Sequence, residues 1–206
     1  MRRTTIAIAL GLLCAAPAAA VPPMVSLKAQ PTIVTYGGST TLSGTVSIGR
    51  AGLSVDVLAR DCGQTAFKKA GTATTTADGN FSIAIKPSAN TVYEAKERSA
   101  TSPPAAVTVA PLVTLKKLAR GRFSITVAAA QSFVGKSVVF QRLRKGSWVK
   151  VKTVALTAVA TTTAPTQVSS VKFRTKLGAR LRVRAVLPLA QAGSCYAQAT
   201  SKTIRS

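Results

Sequence analysis

From residue 24 onward the chain runs in short apolar stretches broken by turn residues every eight to twelve positions. Within the stretches apolar and polar residues alternate, which places successive side chains on opposite faces of a strand. Many short strands at this spacing indicate β-sandwich architecture. The pattern predicts strands over 25–28, 40–46, 54–59, 67–75, 80–85, 91–96 and 105–110. After Pro111 the rhythm repeats, with strands over 112–115, 123–129, 137–143, 148–156, 169–175, 181–186 and 196–203. Tyr36-Gly37-Gly38 and Arg144-Lys145-Gly146-Ser147 read as turns, Asp78-Gly79 as a tight hairpin signal, and the Thr/Ala-rich run 158–167 as a flexible connector.

The two halves read as a weak internal repeat. Gly52-Leu53-Ser54-Val55 matches Gly135-Lys136-Ser137-Val138, and Phe67-Lys68-Lys69 matches Trp148-Val149-Lys150. Thr91–Ala95 corresponds to Leu181–Ala185, and Ala100-Thr101-Ser102 to Ala199-Thr200-Ser201, in the same order along the chain. The expected fold class is therefore all-β, with a first sandwich domain over 21–110 and a second over 111–206. Helix is expected to be negligible beyond residue 20.

The run Val34-Thr35-Tyr36-Gly37-Gly38-Ser39-Thr40-Thr41-Leu42-Ser43-Gly44 resembles the opening of immunoglobulin-like domains in secreted actinobacterial proteins. Thr76-Ala77-Asp78-Gly79-Asn80-Phe81 also resembles a turn of the carboxypeptidase regulatory-like modules. The resemblance covers most of the first half and, more loosely, the second. Its motifs are turn and core motifs, so it implies two tandem immunoglobulin-like domains and a display, adhesion or spacer role, with no active site.

The first twenty residues follow a different pattern. Met1-Arg2-Arg3 is positively charged, an apolar run covers 6–16, and Ala18-Ala19-Ala20 precedes Val21. This is the pattern of a cleaved secretory signal peptide, so the protein is expected outside the cytoplasm or in the cell envelope. Thr4-Thr5 stand where a twin-arginine signal carries apolar residues, and Leu13 stands before Cys14 where a lipidation signal needs a small residue. General secretion is favoured over both. Cleavage leaves two cysteines, Cys62 and Cys195, and an even count in an oxidising compartment favours a disulfide. If strands alternate in direction, Cys62, in the hairpin after the third strand, and Cys195, before the last, both face the junction. The pair is expected to bridge the two domains.

The chain has no His and five carboxylates: Asp56, Asp61, Asp78, Glu94 and Glu97. No metal site, cofactor or acid–base catalyst is expected from this set, and Glu94 and Glu97 read as two solvated surface carboxylates. No Ser sits on a nucleophile elbow. The reading is non-enzymatic.

Charge changes the picture. The whole chain carries +23, the segment 21–110 carries eight basic and five acidic residues for a net +3, and 111–206 carries eighteen basic residues and no acid. Lys150 and Lys152 alternate with Val149 and Val151, Lys172 and Arg174 flank Phe173, and Arg182 and Arg184 flank Val183. Strand parity makes these basic rows, with Arg142, Arg144 and Lys145 extending them at a hairpin. Ordinary surfaces mix both signs, so the six residues are expected to contact an anionic partner: an envelope polymer, an acidic polysaccharide or an anionic lipid surface. Nucleic acid is disfavoured by export and by scarce aromatic interleaving. Trp148 is the best candidate for a stacking platform, although a sandwich core is the commoner place for such a residue. The competing reading is a structural display or protein–protein adhesion module with incidental charge.

Overall fold

The computed structural model describes residues 24–160 and 163–206. The signal-peptide reading of residues 1–20 lies outside them. The described chain is predominantly β-strand, arranged in several sheets.

The first half contributes β1 (Lys28–Gln30), β2 (Ile33–Thr35), β3 (Thr40–Thr45), β4 (Ser54–Asp61), β5 (Lys68–Thr74), β6 (Asn80–Ile85), β7 (Thr91–Glu97), β8 (Ala100–Thr101) and β9 (Ala105–Ala110). One sheet has the order β1-β3-β6; the other has β2-β9-β7-β4-β5, with β8 beside β7. All pairings are antiparallel except β2 with β9. The second half contributes β10 (Leu112–Ala119), β11 (Arg122–Ala129), β12 (Ser137–Arg144), β13 (Ser147–Ala155), β14 (Ala158–Ala160), β15 (Gln167–Arg174) and β16 (Arg182–Leu187). A one-turn helix α1 (Leu189–Ala192) and the short strands β17 (Ala199–Thr200) and β18 (Ile204–Arg205) follow. One sheet here is β10-β11-β15-β14; the other is β13-β12-β16-β17, with β18 also on β16.

Alternating apolar residues build the core as their parity dictates. On β11, Phe123, Ile125, Val127 and Ala129 are buried while Arg122 is exposed. Phe123, Phe140 and Phe173, from both sheets of the second half, meet at centroid distances of 5.0, 5.9 and 5.1 Å. Burying three such rings contributes several kcal/mol of apolar burial. The main core cluster crosses the junction, joining Tyr93, Val107 and Val109 to Val113, Phe133 and Tyr196.

The junction is cross-linked. Cys62 and Cys195 form a disulfide with Cα atoms 5.3 Å apart. Beside it Asn90 uses every polar group. Its N–H donates to the Cys195 carbonyl (2.9 Å), its amide nitrogen donates to the Ser194 carbonyl (3.1 Å), and its amide oxygen accepts from Val109 N–H (2.8 Å). Its carbonyl accepts from Cys62 N–H (2.8 Å). The Tyr196 hydroxyl accepts from Ala130 N–H (3.2 Å) and donates to the Ser88 carbonyl (3.0 Å).

The halves share detailed devices. Gly52 and Gly135 have φ of 80° and 82°, a region only glycine enters freely, and each, just ahead of β4 or β12, donates its N–H to the residue that follows the hairpin partner strand, at the carbonyls of Thr75 after β5 (2.9 Å) and Leu156 after β13 (2.8 Å). Ser102 and Ser201 each donate N–H to the carbonyl of Ala95 or Ala185, and each hydroxyl accepts that alanine's N–H at 2.9 Å. A register bulge falls at the same place in both halves, after Val57 on β4 and after Phe140 on β12.

Several expectations are corrected. The stretch 25–28 is an isolated Val25–Val46 bridge followed by β1, and β2 and β8 are additional. Asp78-Gly79 makes a turn, but it carries the chain from β5 in one sheet to β6 in the other. Turn chemistry fixes a reversal, not the strand's partner. Within 158–167, residues 158–160 pair with β15 as a strand. The last predicted strand, 196–203, yields only β17, after a helical turn that Pro188 opens and Gly193 (φ 80°) closes. Glu97 is buried, 3% exposed, because inward parity on β7 runs through Thr91, Tyr93 and Ala95 to Glu97.

Candidate anion-binding surface

The six residues expected to form the contact lie on two sheets and do not share one face. Lys150 on β13, with Arg182 and Arg184 on β16, belongs to the five-stranded sheet. Lys172 and Arg174 on β15 belong to the four-stranded sheet. Lys152 opposes buried Phe140 in register, so it points to the inner side at the edge. There its ammonium donates to the Arg174 carbonyl of the facing sheet (3.2 Å) and lies 6.0 Å from the Phe173 ring centre. Lys152 closes the open edge of the two layers and is not part of a row with Lys150.

On the outer side of the five-stranded sheet, Lys150, Gln141 and Arg184 align across β13, β12 and β16. The Arg184 Nε donates to Gln141 Oε1 (2.8 Å), and its guanidinium lies 4.2 Å from the Trp148 ring centre. Trp148 is thus a half-buried surface residue outside the core cluster, stacked on a cation. Such stacking contributes about 0.5–2 kcal/mol. Arg182 pairs with Arg205 of β18 on the same face.

On the outer side of the four-stranded sheet, Arg122 and Arg174 are direct cross-strand partners, and one step along the face Lys116, Ser124 and Lys172 form the next row. Two adjoining clefts open here. One, of about 530 Å³, is lined by Arg120, Gly121, Arg122, Arg174, Thr175 and Lys176. The other, of about 100 Å³, is lined by Lys172, Arg122 and Arg174 with Leu118, Phe123 and Phe173.

Sequence reasoning missed Arg120, Arg122, Lys176 and Lys116. Arg120, Arg122 and Lys176 lie at turns or a strand end, where period-two patterning carries no signal, and Lys116 lies inside β10 beyond the stretch 112–115 that the pattern predicts. The available sign was topological. The turns between β10 and β11, β12 and β13, and β15 and β16 all fall at the end remote from the junction, since antiparallel strands alternate in direction. Arg120, Arg122, Arg144, Lys145, Lys176, Arg180 and Arg182 therefore gather at one end.

Among the described residues the ion pairs are Lys69–Asp56 (2.7 Å) and Arg98–Glu97 (3.5 Å), both in the first half. The Lys69 ammonium, bonded to Asp56, holds that carboxyl below its ordinary range. No group of three or more His, Cys, Asp or Glu is placed among the described residues to hold a metal ion. No protein-family model matches the chain, and neither does any curated protein.

Proposed function

We propose that this chain is an exported, non-catalytic attachment protein of two tandem immunoglobulin-like β-sandwiches, whose basic second half binds a polyanion of the cell envelope or extracellular space. The sheet orders and the paired serine and glycine devices support the tandem reading. A disulfide across the junction suits an oxidising compartment.

The observation that carries the binding reading is the position of the unpaired charge. Eighteen cations and no acid lie beyond residue 110, and they concentrate on two outer faces and the end remote from the junction. Self-repulsion of this kind destabilises a compact domain unless a counter-anion relieves it. An acidic polysaccharide or a phosphate-bearing envelope polymer has the chemistry to do so. The display reading leaves the charge without a role.

The test is retention of the whole chain, from residue 21, on immobilised acidic polysaccharide. The Debye length falls from about 10 Å at 0.1 M to about 3 Å at 1 M salt, so retention is expected at the lower concentration and loss at the higher. Replacing Lys150, Lys172, Arg174, Arg182 and Arg184 with Gln removes most of it. Replacing exposed Lys28, Arg50 and Lys86 of the first half changes it little. Equal effects of the two sets, or retention indifferent to salt, sink the reading. The intact chain is used because its main core joins both halves.

A further inference from the structure

We infer that the cleft between the β10–β11 turn and the end of β15 is a subsite for a tetrahedral oxyanion, a phosphate or sulfate ester group on the bound polymer, rather than for a carboxylate. The inference rests on the polyanion-binding reading and names the group that this part of the surface takes.

Arg122 and Arg174 are direct partners in the β11–β15 register. Opposed residues in an antiparallel pair have Cα atoms about 4.5–5.5 Å apart, and like charges so placed are destabilising. Arg120 and Lys176 line the same cleft, and Lys172 lines the smaller one that adjoins it. No acid of this half is available to relieve the repulsion. An anion seated between the two guanidiniums does so.

The walls of the cleft are fixed by backbone. Thr175 N–H donates to the Gly121 carbonyl at 2.9 Å, tying the turn to the end of β15. Gly121 has φ of 66°, and a Cβ there would lie 2.7 Å from the Thr175 carbonyl oxygen. Only glycine permits that approach, so the arginines on either side are carried by a closed frame.

The ligand class follows from the donors. A guanidinium presents a planar fork that engages two oxygens at once, whereas an ammonium is a point charge. A carboxylate has two coplanar oxygens; one fork engages both, and the lone pairs left for a second donor lie in that same plane. A phosphate or sulfate ester group directs its free oxygens out of a single plane and can accept from both arginines together. Two arginines side by side, with cations around them, fit the tetrahedral group.

The test separates the fork from the charge. The whole chain and its R122K/R174K variant, which has the same net charge, are compared on three immobilised polymers: polyphosphate, dextran sulfate and polygalacturonate. Both positions are exposed, and circular dichroism with a count of free thiols verifies the fold of the variant. Binding is expected to weaken about tenfold on polyphosphate, on dextran sulfate or on both, and to change by less than about twofold on polygalacturonate, since Lys keeps the charge and loses the bidentate geometry. The polymer on which binding falls identifies the ester. An equal change on all three polymers, or none on either tetrahedral one, overturns the subsite while leaving the polyanion reading intact. Failure of the unmodified chain to bind any of the three overturns both. An R122K/R174K variant that fails to fold makes the pair structural and also overturns the subsite, whose arginines are free of structural duty; R122Q alone then checks that conclusion by its melting temperature.

Discussion

Replacing Cys62 and Cys195 with Ser should destabilise the protein by about 5 kcal/mol without changing its native arrangement. The cysteines are 133 residues apart. In the chain-entropy model a loop of that length removes about 17 cal/mol/K from the unfolded ensemble, which is about 5 kcal/mol at 25 °C. The native side of the balance hardly moves. Asn90 still bonds to the carbonyls of Ser194 and Cys195, Tyr196 still bridges Ala130 and Ser88, and Ala197 N–H still donates to the Val109 carbonyl at 2.8 Å. The shared core remains as well. The effect should therefore lie almost wholly in the unfolded chain. The assay is urea unfolding of the oxidised protein, the reduced protein and the double variant, followed by far-ultraviolet circular dichroism and by Trp148 fluorescence. Both probes should report one transition in all three samples, with the reduced protein matching the variant. A loss below about 1 kcal/mol would show that the unfolded chain already holds these residues together. Two separated transitions in the variant would refute the claim that the common core couples the halves.

Three further outcomes are expected. Burial raises the Tyr93 pKa to about 12, with the nearby Asp61 carboxylate adding to the rise and a bond to Thr91 opposing it. The folded value exceeds the unfolded one, so this stabilisation is complete below about pH 10 and is lost between about pH 10 and 12, at a cost of about 3 kcal/mol. Urea midpoints across that range should fall more steeply for the native protein than for Tyr93→Phe. Glu97→Leu should raise the melting temperature, by about 1–3 kcal/mol in stability. The Glu97 Oε2 atom is buried with no hydrogen-bond partner, and the position is equivalent to Leu187, each opposing an alanine, Ala100 or Ala199. Val139→Asp should leave the fold intact and lower the salt needed to elute the protein from a polyanion column. It places a carboxylate opposite Thr153 and near Lys150, as Asp56 stands opposite Thr72 and bonds to Lys69.

What could be read from the sequence was whatever depends on local period. Period-two alternation located β6 and β9 to the residue, and most other long strands to within two or three. The repeat was legible because Gly52 with Gly135, and Ser102 with Ser201, are demanded by backbone geometry that recurs. The disulfide was legible because its ends follow from counting strand reversals. Sheet membership was not. Nothing local to Lys172 says that β15 joins β11 while β16 joins β12, and so the basic rows that parity predicts fall on two sheets. The inward turn of Lys152 depends on the bulge beside Val151, which shifts register by one and exchanges faces. Trp148 was open between core and surface because its inward or outward parity is set by its partner Leu143, across a hairpin whose bulge the pattern does not show.

The comparison between halves decides how the excess charge should be read. Equivalent rows cross the two large sheets: Lys69, Leu58 and Glu94 in the first half, Lys150, Gln141 and Arg184 in the second. The first row carries one cation and one acid, and Lys69 has a carboxylate from Asp56 at 2.7 Å. The second carries two cations, and where Asp56 stands in the first half it has Val139. The same strand pairings, bulge and serine latch are thus achieved with a net charge of +3 in one half and +18 in the other. The fold does not require the charge. Nor does solubility, since interspersed charges with a modest net excess suffice for a domain of this size. A set of positions from which acids are absent while the scaffold is retained opposes compactness through its own repulsion. A bound anion would offset that cost, and this is the physical ground of the proposal that the second half binds a polyanion.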